Sequence, residues 1–245
     1  MGQLFDLVKK RIERATGARI YRHSLPHGSD LFWDLRRLPR WAPEARVIFD
    51  VGAHVGGTVA RFREAFPAAT IYAFEPAPQN RKILTDSFGT DPRVRIQPFA
   101  VSAAEGVATL HLSGHSTKHS LVHRDAALAT EQVRTVTLDS FCTEQRIPHI
   151  HFCKIDTEGH DLDVLRGASG LLENQRIDLV QVETSFRRDT KYFSPAWEID
   201  RFMAEKRYEV FGFYEQQPCW TGRNSLLFIN AVYIRTSLVE DVPPE

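Results

Sequence analysis

The stretch Val47-Ile-Phe-Asp-Val-Gly-Ala-His-Val-Gly-Gly57 decides the fold class of this chain. Its short apolar run is typical of a buried strand. The run ends in Asp50-x-Gly52-x-x-x-Gly56-Gly57, after which a helical pattern begins. A strand, a glycine turn and a helix in this order bring backbone close to a nucleotide-like ligand, because glycine tolerates positive φ and presents no Cβ to that ligand.

Asp50 distinguishes this turn from one that binds a dinucleotide. The dinucleotide fingerprint is G-x-G-x-x-G, and here its first glycine is missing while the strand carries a carboxylate. A carboxylate repels a pyrophosphate but attracts a cofactor with a cationic amino group and a sulfonium. We therefore predict S-adenosylmethionine as the cofactor, and not NAD. The turn residues expected to bind it are Asp50, Gly52, His54 and Gly56.

A second acidic residue follows the next predicted strand. The alternating stretch 70–74 ends at Glu75-Pro76, 25 positions after Asp50. This is close to the roughly 20-residue offset at which an acid meets the ribose hydroxyls in folds of this kind. A carboxylate accepts two hydroxyl hydrogen bonds at once, which suits a vicinal diol. Glu75 and Pro76 are therefore predicted to contact the cofactor.

The composition is that of an ordinary globular protein. Of 245 residues, 42% are hydrophobic and 25% charged, which suits one large α/β domain with an extension. The net charge is zero, so we expect no nucleic-acid partner held by phosphate neutralisation. The three cysteines, Cys142, Cys153 and Cys219, form no C-x-x-C pair, so we expect neither a disulfide framework nor a zinc site.

The predicted organisation is an N-terminal helical extension at 1–45, a main domain at 46–235 and a C-terminal tail at 236–245. No apolar run approaches the roughly 18 residues of a membrane span, and no signal-peptide block occurs, so we expect a cytoplasmic protein. Residues 1–22 contain a basic amphipathic helix, which either packs on the main domain or lies on an anionic membrane. The oligomeric state stays open.

From residue 46 the pattern alternates between strands and helices. Predicted strands lie at 47–51, 70–74, 93–97, 106–112, 133–137, 150–155, 178–183, 208–214 and 226–234. Predicted helices lie at 56–66, 78–88, 138–145, 160–166, 168–174 and 195–206, and residues 113–132 are expected to be loop. The last two strands have no helix between them, so they should pair antiparallel. We predict an α/β class I methyltransferase fold, with a mostly parallel seven-stranded sheet, helices on both faces and a C-terminal antiparallel hairpin.

Further candidate residues follow the fourth and fifth core strands. Because ligands bind at the carboxyl ends of parallel strands, Asp156, His160 and Glu183 should share an edge with Asp50 and Glu75. Asp156 is the candidate general base or orients the acceptor, and it also lies beside the cofactor. His160 is the alternative base, and Glu183 is a candidate for binding an acceptor hydroxyl. Strand-end carboxylates also cap the next helix, which is the alternative interpretation of each acid.

Four histidines recur every four residues, at His111, His115, His119 and His123. On a helix they would line one face and bind metal. Ser113-Gly114 indicates a strand end and a loop instead, so we predict no metal site. A substrate lid is the preferred interpretation, in which Ser116, Lys118 and Ser120 reach hydroxyls or a phosphate.

Several motifs together resemble the FkbM family of S-adenosylmethionine-dependent methyltransferases. They are Asp50-Val-Gly-Ala-His-Val-Gly, Phe74-Glu-Pro76, Ala100-Val-Ser102, Thr137-Leu-Asp-Ser-Phe141, Lys154-Ile-Asp-Thr-Glu-Gly159 and Asp163-Val-Leu-Arg-Gly167. The resemblance implies O-methylation of a hydroxyl on a sugar, glycolipid or other small molecule, and cofactor contacts at Ala100 and Val101. His54 departs from the family, which more commonly has Asn there. The acceptor does not carry over.

Two other functions are weighed against O-methylation. An N-methyltransferase acting on a nucleobase amine would want an Asn/Asp-Pro-Pro-aromatic turn after the fourth strand, whereas this chain has Asp156-Thr-Glu-Gly. A protein that binds S-adenosylmethionine without catalysis would show cofactor binding but no turnover on any hydroxyl. The predicted function is O-methyl transfer from S-adenosylmethionine to a hydroxyl of a small molecule, sugar or glycolipid.

Overall fold

The computed structural model describes residues 2–16, 21, 25–38, 41–113, 120–121, 127–190, 192–219 and 225–239. Its strands are β1 (Val47–Val51), β2 (Thr70–Phe74), β3 (Val94–Gln97), β4 (Ala100–Val101), β5 (Gly106–Ser113), β6 (Ala127–Val136), β7 (Ile150–Ile155), β8 (Ile177–Ser185), β9 (Ser194–Pro195), β10 (Tyr208–Cys219) and β11 (Ser225–Arg235). Its helices are α1 (Gly2–Thr16), α2 (Leu31–Arg36), α3 (Gly57–Ala65), α4 (Pro78–Phe88), α5 (Leu138–Glu144), α6 (Asp161–Arg166), α7 (Ser169–Glu173), α8 (Ala196–Glu205) and α9 (Thr236–Val239).

One large sheet runs through the protein in the order β10-β11-β8-β7-β1-β2-β3, and the short β9 adds an eighth strand beside β8. Strands β3, β2, β1, β7 and β8 are parallel, whereas β11 is antiparallel to both β8 and β10. The predicted fold class and the C-terminal antiparallel hairpin are therefore confirmed. The prediction of seven strands missed only β9 in this sheet.

The sheet is buried on both faces, which explains why its strands are nearly continuous apolar runs. Successive side chains of a strand point to opposite faces, so Ile48 and Phe49 of β1 enter two different cores. Helices α5 to α8 pack on the face of Phe49, and α2 to α4 pack on the face of Ile48. The predicted placement of helices on both faces is confirmed.

Helix α2 packs directly on the main core. Leu31, Phe32 and Leu35 are buried there, and the ring centroids of Phe32 and Phe62 are 5.1 Å apart. Asp30 caps the helix by accepting a hydrogen bond from the backbone N–H of Trp33 at 2.8 Å. Part of the segment before residue 46 therefore shares the core of the domain, and the boundaries at 45 and 235 stay predictions.

A second sheet of three strands, in the order β4-β6-β5, stands beside the first. It corrects the expectation that residues 113–132 form a loop, because β6 begins at Ala127 and pairs antiparallel with β5. Residues 129, 130 and 132 of β6 are exposed, whereas Val133, Thr135 and Val136 are buried. Because residues 129, 130 and 132 are exposed, this part of β6 lacks the apolar alternation by which a strand is recognised.

An ion-pair network joins the amino ends of the core strands. The Asp178 carboxylate contacts Arg235 Nε at 2.7 Å, His149 Nε2 at 2.8 Å and Trp41 Nε1 at 3.1 Å. Burial alone would raise the pKa of Asp178, but these cationic and hydrogen-bonding partners outweigh it and hold the pKa below its usual value. His151 also lies in this group. Both carboxylate oxygens are already used, so the cluster is a structural anchor.

Candidate functional site

A cleft that is open to solvent lies at the carboxyl ends of β1, β2 and β7. Most of the predicted cofactor residues meet there, together with two of the three predicted catalytic residues. The predicted residues that line the cleft are Gly52, His54, Glu75, Pro76, Ala100, Val101, Asp156 and His160. A cleft at this position in an open α/β sheet is where ligands of such folds bind.

Gly52 allows β1 and β7 to approach each other at the floor of the cleft. Its φ is +81°, and a Cβ at this position would lie 1.9 Å from the carbonyl oxygen of Asp156. The Asp156 N–H donates to the Val51 carbonyl at 3.0 Å, which keeps the two strand ends together. Only glycine fits here. The missing side chain thus makes room for the neighbouring strand, whereas we had expected it to make room for the ligand.

Glu75 is a buried carboxylate held by backbone donors. Its Oε2 accepts a hydrogen bond from His54 N at 2.8 Å, and its Oε1 accepts one from Ala77 N at 2.8 Å. Burial raises the pKa of Glu75 to about 7, and these hydrogen bonds, with one from Asn80, act in the opposite direction. Because each carboxylate oxygen accepts more than one hydrogen bond, Glu75 keeps acceptor capacity toward the cleft.

His54 and Glu158, on facing sides of the cleft, have left-handed backbone conformations. Their φ values are +51° and +55°, a region in which asparagine is several-fold enriched and most other side chains are uncommon. This explains why a family that needs this turn commonly has Asn at position 54. Burial lowers the pKa of His54, so the ring is held neutral.

The remaining wall of the cleft is apolar and comes from the second sheet. Ala100 and Val101 of β4 are 5% and 3% exposed, and Leu110 of β5 is 2% exposed. Leu121 and Phe99 complete this wall. Apolar walls facing a few polar groups are typical of a site for a flat, largely apolar ring.

Asp50 lies behind the cleft and is not one of its lining residues. Its side chain is fully buried, and neither carboxylate oxygen has a hydrogen-bond partner. The nearest cation is Lys154, whose Nζ is 3.5 Å from Asp50 Oδ1. Burial raises the pKa of Asp50, and the charge of Lys154 opposes that shift. The predicted contact between Asp50 and the cofactor stays a prediction.

Asp156 projects from the end of β7 into the cleft and is paired with Lys154. The distance from Lys154 Nζ to Asp156 Oδ2 is 3.0 Å. Burial alone would lower the pKa of Lys154, but Asp156 and then Asp50 outweigh it and raise the pKa. Lys154 is therefore an ammonium ion shared by two carboxylates. Within the described part of the chain, the ion pairs of Lys154 are with these two aspartates.

His160 lines the cleft and is oriented by two side chains. Its Nε2 lies 3.0 Å from Ser102 Oγ, and its Nδ1 lies 3.4 Å from Asp163 Oδ2. Burial lowers the pKa of His160, against the opposing charges of Asp163 and Asp161. The lowered pKa favours the neutral imidazole, which a general base requires, but Ser102 already contacts the nitrogen that would accept the proton.

Glu183 is brought near this group but does not line the cleft. Burial is the main reason why the pKa of Glu183 rises to about 9, and the carboxylates of Asp156, Glu158 and Asp161 add to it. A raised pKa favours the protonated carboxyl, which can donate a hydrogen bond and is a poor base. Its predicted role in binding an acceptor hydroxyl is compatible with a donor.

The predicted lid is described only in part. The backbones of His111 and Ser120 exchange two hydrogen bonds, at 2.9 and 3.1 Å. Ser120 lines the cleft, and its Oγ donates to the carbonyl of Glu158 at 2.9 Å. The predictions for Ser116, Lys118, His115, His119 and His123 lie outside the described residues.

Sequence reasoning missed part of the lining. Asn80, Leu110, Leu121 and Thr157 all face the cleft. Asn80 is 2% exposed and lies in the first turn of α4. Its position shortly after Glu75-Pro76 could have identified it as a lining residue. Leu110 could have been found from the alternation of β5, whereas Leu121 follows no pattern.

Three relatives resemble part of this chain. The hexuronic acid methyltransferase AglP of Haloferax volcanii is 25% identical over 149 residues, which cover 60% of this chain and 60% of that protein. The 2-O-methyltransferase NoeI of Sinorhizobium fredii is 27% identical over 149 residues, covering 53% of this chain and 60% of that protein. The 31-O-demethyl-FK506 methyltransferase FkbM of Streptomyces tacrolimicus is 34% identical over 103 residues, covering 41% and 39%. The chain thus spans at most 60% of the length of these relatives.

The strongest evidence for the family of this chain is a match to a family model of a domain. The model of the methyltransferase FkbM domain matches residues 50–210, which is more than half of the chain. The matched segment begins at Asp50, contains Glu75 and Asp156, and therefore includes most of the cleft. Methyltransferases of this kind require a methyl donor. The resemblance inferred from the motifs is confirmed, and the chain belongs to the FkbM methyltransferase family.

Proposed function

We propose that this protein transfers a methyl group from S-adenosylmethionine to a hydroxyl of a saccharide or another small molecule. The observation that carries the proposal is that one cleft combines Glu75, an apolar wall and Asp156. The three parts suit a ribose diol, an adenine ring and a reacting hydroxyl, respectively.

The residues of the cleft fit this cofactor. Glu75 keeps acceptor capacity for the ribose hydroxyls, and Ala100, Val101 and Leu110 form a flat apolar wall. Asp156, with Glu158 nearby, makes the acceptor side of the cleft acidic, which favours a cationic amino group and a sulfonium. When bound, S-adenosylmethionine supplies an electrophilic methyl group on a sulfur that leaves as a neutral thioether.

Asp156 is the proposed general base. Its carboxylate would take the proton of the acceptor hydroxyl as the new carbon–oxygen bond forms, and such a group typically contributes about 10²–10⁴-fold. The ammonium of Lys154, 3.0 Å away, keeps the carboxylate in one orientation. Orientation of the hydroxyl along the line of transfer provides much of the remaining rate.

His160 is the alternative base, and its contacts suggest an experiment that distinguishes it from Asp156. Since Ser102 Oγ already lies 3.0 Å from Nε2, an acceptor hydroxyl would have to replace Ser102 at that nitrogen. Asp156 needs no such exchange, which favours it. A His160→Gln variant should keep at least about a tenth of the turnover, whereas Asp156→Asn should not.

The acceptor class is inferred from the donors near Asp156 and from the relatives. The protonated carboxyl of Glu183 suits a hydroxyl or ether oxygen. The names of two relatives specify a hexuronic acid and a 2-O-methyl transfer. We infer that a saccharide hydroxyl, on an acidic or a neutral sugar, is the first acceptor class to try.

Calorimetric titration with S-adenosylmethionine tests the cofactor, and NAD is titrated in parallel. We expect binding of the sulfonium compound only, weakened at least about tenfold by Glu75→Gln because ribose hydroxyl acceptors are lost. Glu64→Gln, an exposed acid on α3, is the matched control and should bind like the wild type. Absence of binding in the wild type would contradict the proposal.

Methylation is then measured with methyl-labelled cofactor on uronic acid glycosides, neutral glycosides and amines. A methyl ether on a sugar, located by NMR, is the expected product. Label on nitrogen would favour the N-methyltransferase alternative, and binding without turnover across the whole panel would favour the non-enzymatic one.

We also propose that α1 contacts an anionic membrane, which would bring the enzyme to lipid-linked acceptors in the cytoplasm. Val8 and Ile12 are 49% and 43% exposed one helical turn apart, and the same helix carries Lys9, Arg11 and Arg14. No helix among the described residues is long and apolar enough to cross a membrane. We expect the protein to float with phosphatidylglycerol vesicles and the Val8→Ser/Ile12→Ser variant not to float with them. Equal flotation of the wild type with phosphatidylcholine vesicles would contradict the attraction of the basic side chains to anionic lipid.

A further inference from the structure

Asp50 presents a buried charge that nothing in the described residues satisfies fully. It is 0% exposed, both of its oxygens lack a hydrogen-bond partner, and its closest cation is 3.5 Å away. A buried carboxylate without hydrogen bonds is costly. A fully buried residue behind a ligand cleft that carries this cost needs a functional explanation.

The register of the sheet shows which residue Asp50 acts on. Asp50 of β1 stands directly opposite Lys154 of β7 in the parallel ladder. Side chains of residues two apart in a strand share a face, so Asp156 follows Lys154 on the same side, one step nearer the cleft. Lys154 is only 6% exposed and therefore bridges the two aspartates without help from solvent.

We infer that Asp50 is a positioning residue that acts through Lys154 on the Asp156 carboxylate, and that it is not a ligand of the cofactor. This inference rests on the proposed function. It assigns to the aspartate of the glycine turn a task different from the cofactor contact that the sequence predicted.

The charges explain why a second aspartate is needed. With Asp156 as its sole partner, a buried ammonium would direct all its donors to that carboxylate and pull it away from the cleft. Asp50 draws the ammonium back toward β1, which leaves one edge of Asp156 open to an acceptor hydroxyl. The distances of 3.5 and 3.0 Å describe an ammonium divided between the two acids.

A double-mutant cycle tests this inference, using Asp50→Asn, Lys154→Met and the double variant. Cofactor affinity is measured first, by calorimetry with S-adenosylmethionine. We expect Asp50→Asn to bind within about threefold of the wild type, while Glu75→Gln is weakened at least about tenfold. A loss of more than about tenfold in Asp50→Asn, repeated in the Lys154→Met background, would make Asp50 a cofactor ligand and overturn the inference.

Turnover with the hydroxyl acceptor found by the labelled screen gives the second readout. Asp50→Asn should lower kcat at least about tenfold with the KM for S-adenosylmethionine nearly unchanged, because only the position of Asp156 is affected. In the Lys154→Met background the same substitution should change kcat less than about twofold, since its effect passes through the missing ammonium. Equal effects in both backgrounds would overturn the inference.

Thermal unfolding supplies a check that needs no acceptor. Lys154→Met leaves Asp50 buried without a counter-charge, so its midpoint should fall, and adding Asp50→Asn should recover part of the loss. Additive losses would show that the two side chains are not coupled. If the wild type does not bind S-adenosylmethionine, the proposed function is wrong. The double-mutant cycle measured by thermal unfolding would still show whether Asp50 and Lys154 are coupled.

Discussion

Two buried aspartates stand at opposite ends of the same parallel sheet and differ in every contact. At the amino end, Asp178 is anchored by Arg235, His149 and Trp41 at 2.7 to 3.1 Å, and its pKa is held below the usual value. At the carboxyl end, Asp50 has no regular hydrogen bond, a lysine at 3.5 Å, and a raised pKa.

The difference indicates two kinds of buried charge. Asp178 stabilises the fold through its partners, whereas Asp50 belongs to the group of charges beside the cleft. Natural proteins satisfy buried polar groups almost everywhere, and exceptions concentrate at functional sites. The amino end of the sheet follows the rule, and the carboxyl end, where the cleft lies, breaks it. Substitutions at the two ends should therefore affect different observables, stability at one and catalysis at the other.

The largest expected effect is on turnover at the carboxyl end. Asp156→Asn should lower kcat about 10³-fold, because the amide cannot take the acceptor proton. Cofactor affinity should fall only a few-fold, because one negative charge near the cationic cofactor is lost while Glu75 and the apolar wall are untouched. The measurement is methyl transfer under saturating cofactor.

Asp86→Asn is the matched control for Asp156→Asn, because Asp86 is an exposed acid on α4 paired with Lys82. It should leave kcat unchanged. Wild-type turnover in Asp156→Asn would remove this residue from the mechanism and leave His160 as the base.

The second effect is on stability at the amino end. Asp178→Asn should lower the free energy of unfolding by about 3 kcal/mol, because it leaves the partly buried Arg235 without its counter-charge. Turnover per folded molecule should not change, since the anchor lies at the opposite end of the sheet. Denaturant unfolding and kcat are measured on the same sample. A larger loss of stability in Asp50→Asn than in Asp178→Asn would break the contrast between the two ends.

The third effect is opposite pH dependence at the two ends. The lowered pKa of Asp178 contributes stability that is present above its unfolded value near 3.9 and is lost as pH falls through the folded value. The pKa of Glu75, raised to about 7, contributes stability that is present below about 4.5 and is lost as pH rises toward 7. At about 1.4 kcal/mol per pKa unit, the rise of the Glu75 pKa from 4.5 to about 7 makes this loss at most about 3.5 kcal/mol.

Unfolding measured from pH 3 to 8 separates these contributions. Glu75→Gln should flatten the decline between about pH 4.5 and 7, and Asp178→Asn should reduce the loss in acid. A Glu75→Gln profile parallel to that of the wild type would show that burial does not perturb this carboxyl.

The core strands were predictable because each has a local hydrophobic pattern in the sequence. Strands β1, β2, β7 and β8 are buried on both faces, so each appears as an apolar run that ends in a turn. The part of β6 that contains the exposed residues 129, 130 and 132 carries no such pattern and forms only through its pairing with β5. The site divides in the same way. Glu75, Gly52 and Asp156 were found because each follows a strand, whereas Leu121 was not.

The role that we infer for Asp50 could not be predicted from the sequence, for a physical reason. Its position at the end of a strand suggested a cofactor contact, and that inference assumed that its side chain faces the ligand. Whether it faces the ligand or a neighbouring strand depends on the register between β1 and β7, which sets Lys154 opposite Asp50. Register between strands about 100 residues apart in the chain is not encoded in either strand alone.

The smallest expected effect concerns backbone strain, which also differs between the two ends. His54 and Glu158, with φ near +50°, line the cleft, whereas Arg207, with φ of +61°, follows the C-terminus of α8. Asparagine tolerates this conformation better than histidine, and β-branched residues tolerate it least. His54→Asn should change the free energy of unfolding by no more than about 0.5 kcal/mol, and His54→Val should lower it by about 1–2 kcal/mol.

Cofactor affinity distinguishes strain at the site from strain elsewhere. Because His54 N donates to Glu75 at 2.8 Å, His54→Val should also weaken S-adenosylmethionine binding several-fold by displacing that carboxylate. Arg207→Val, the matched control at a helix end, should lose similar stability with unchanged affinity. If both variants bind the cofactor like the wild type, the left-handed turn serves only to end β1, and the strain at this end has no part in binding.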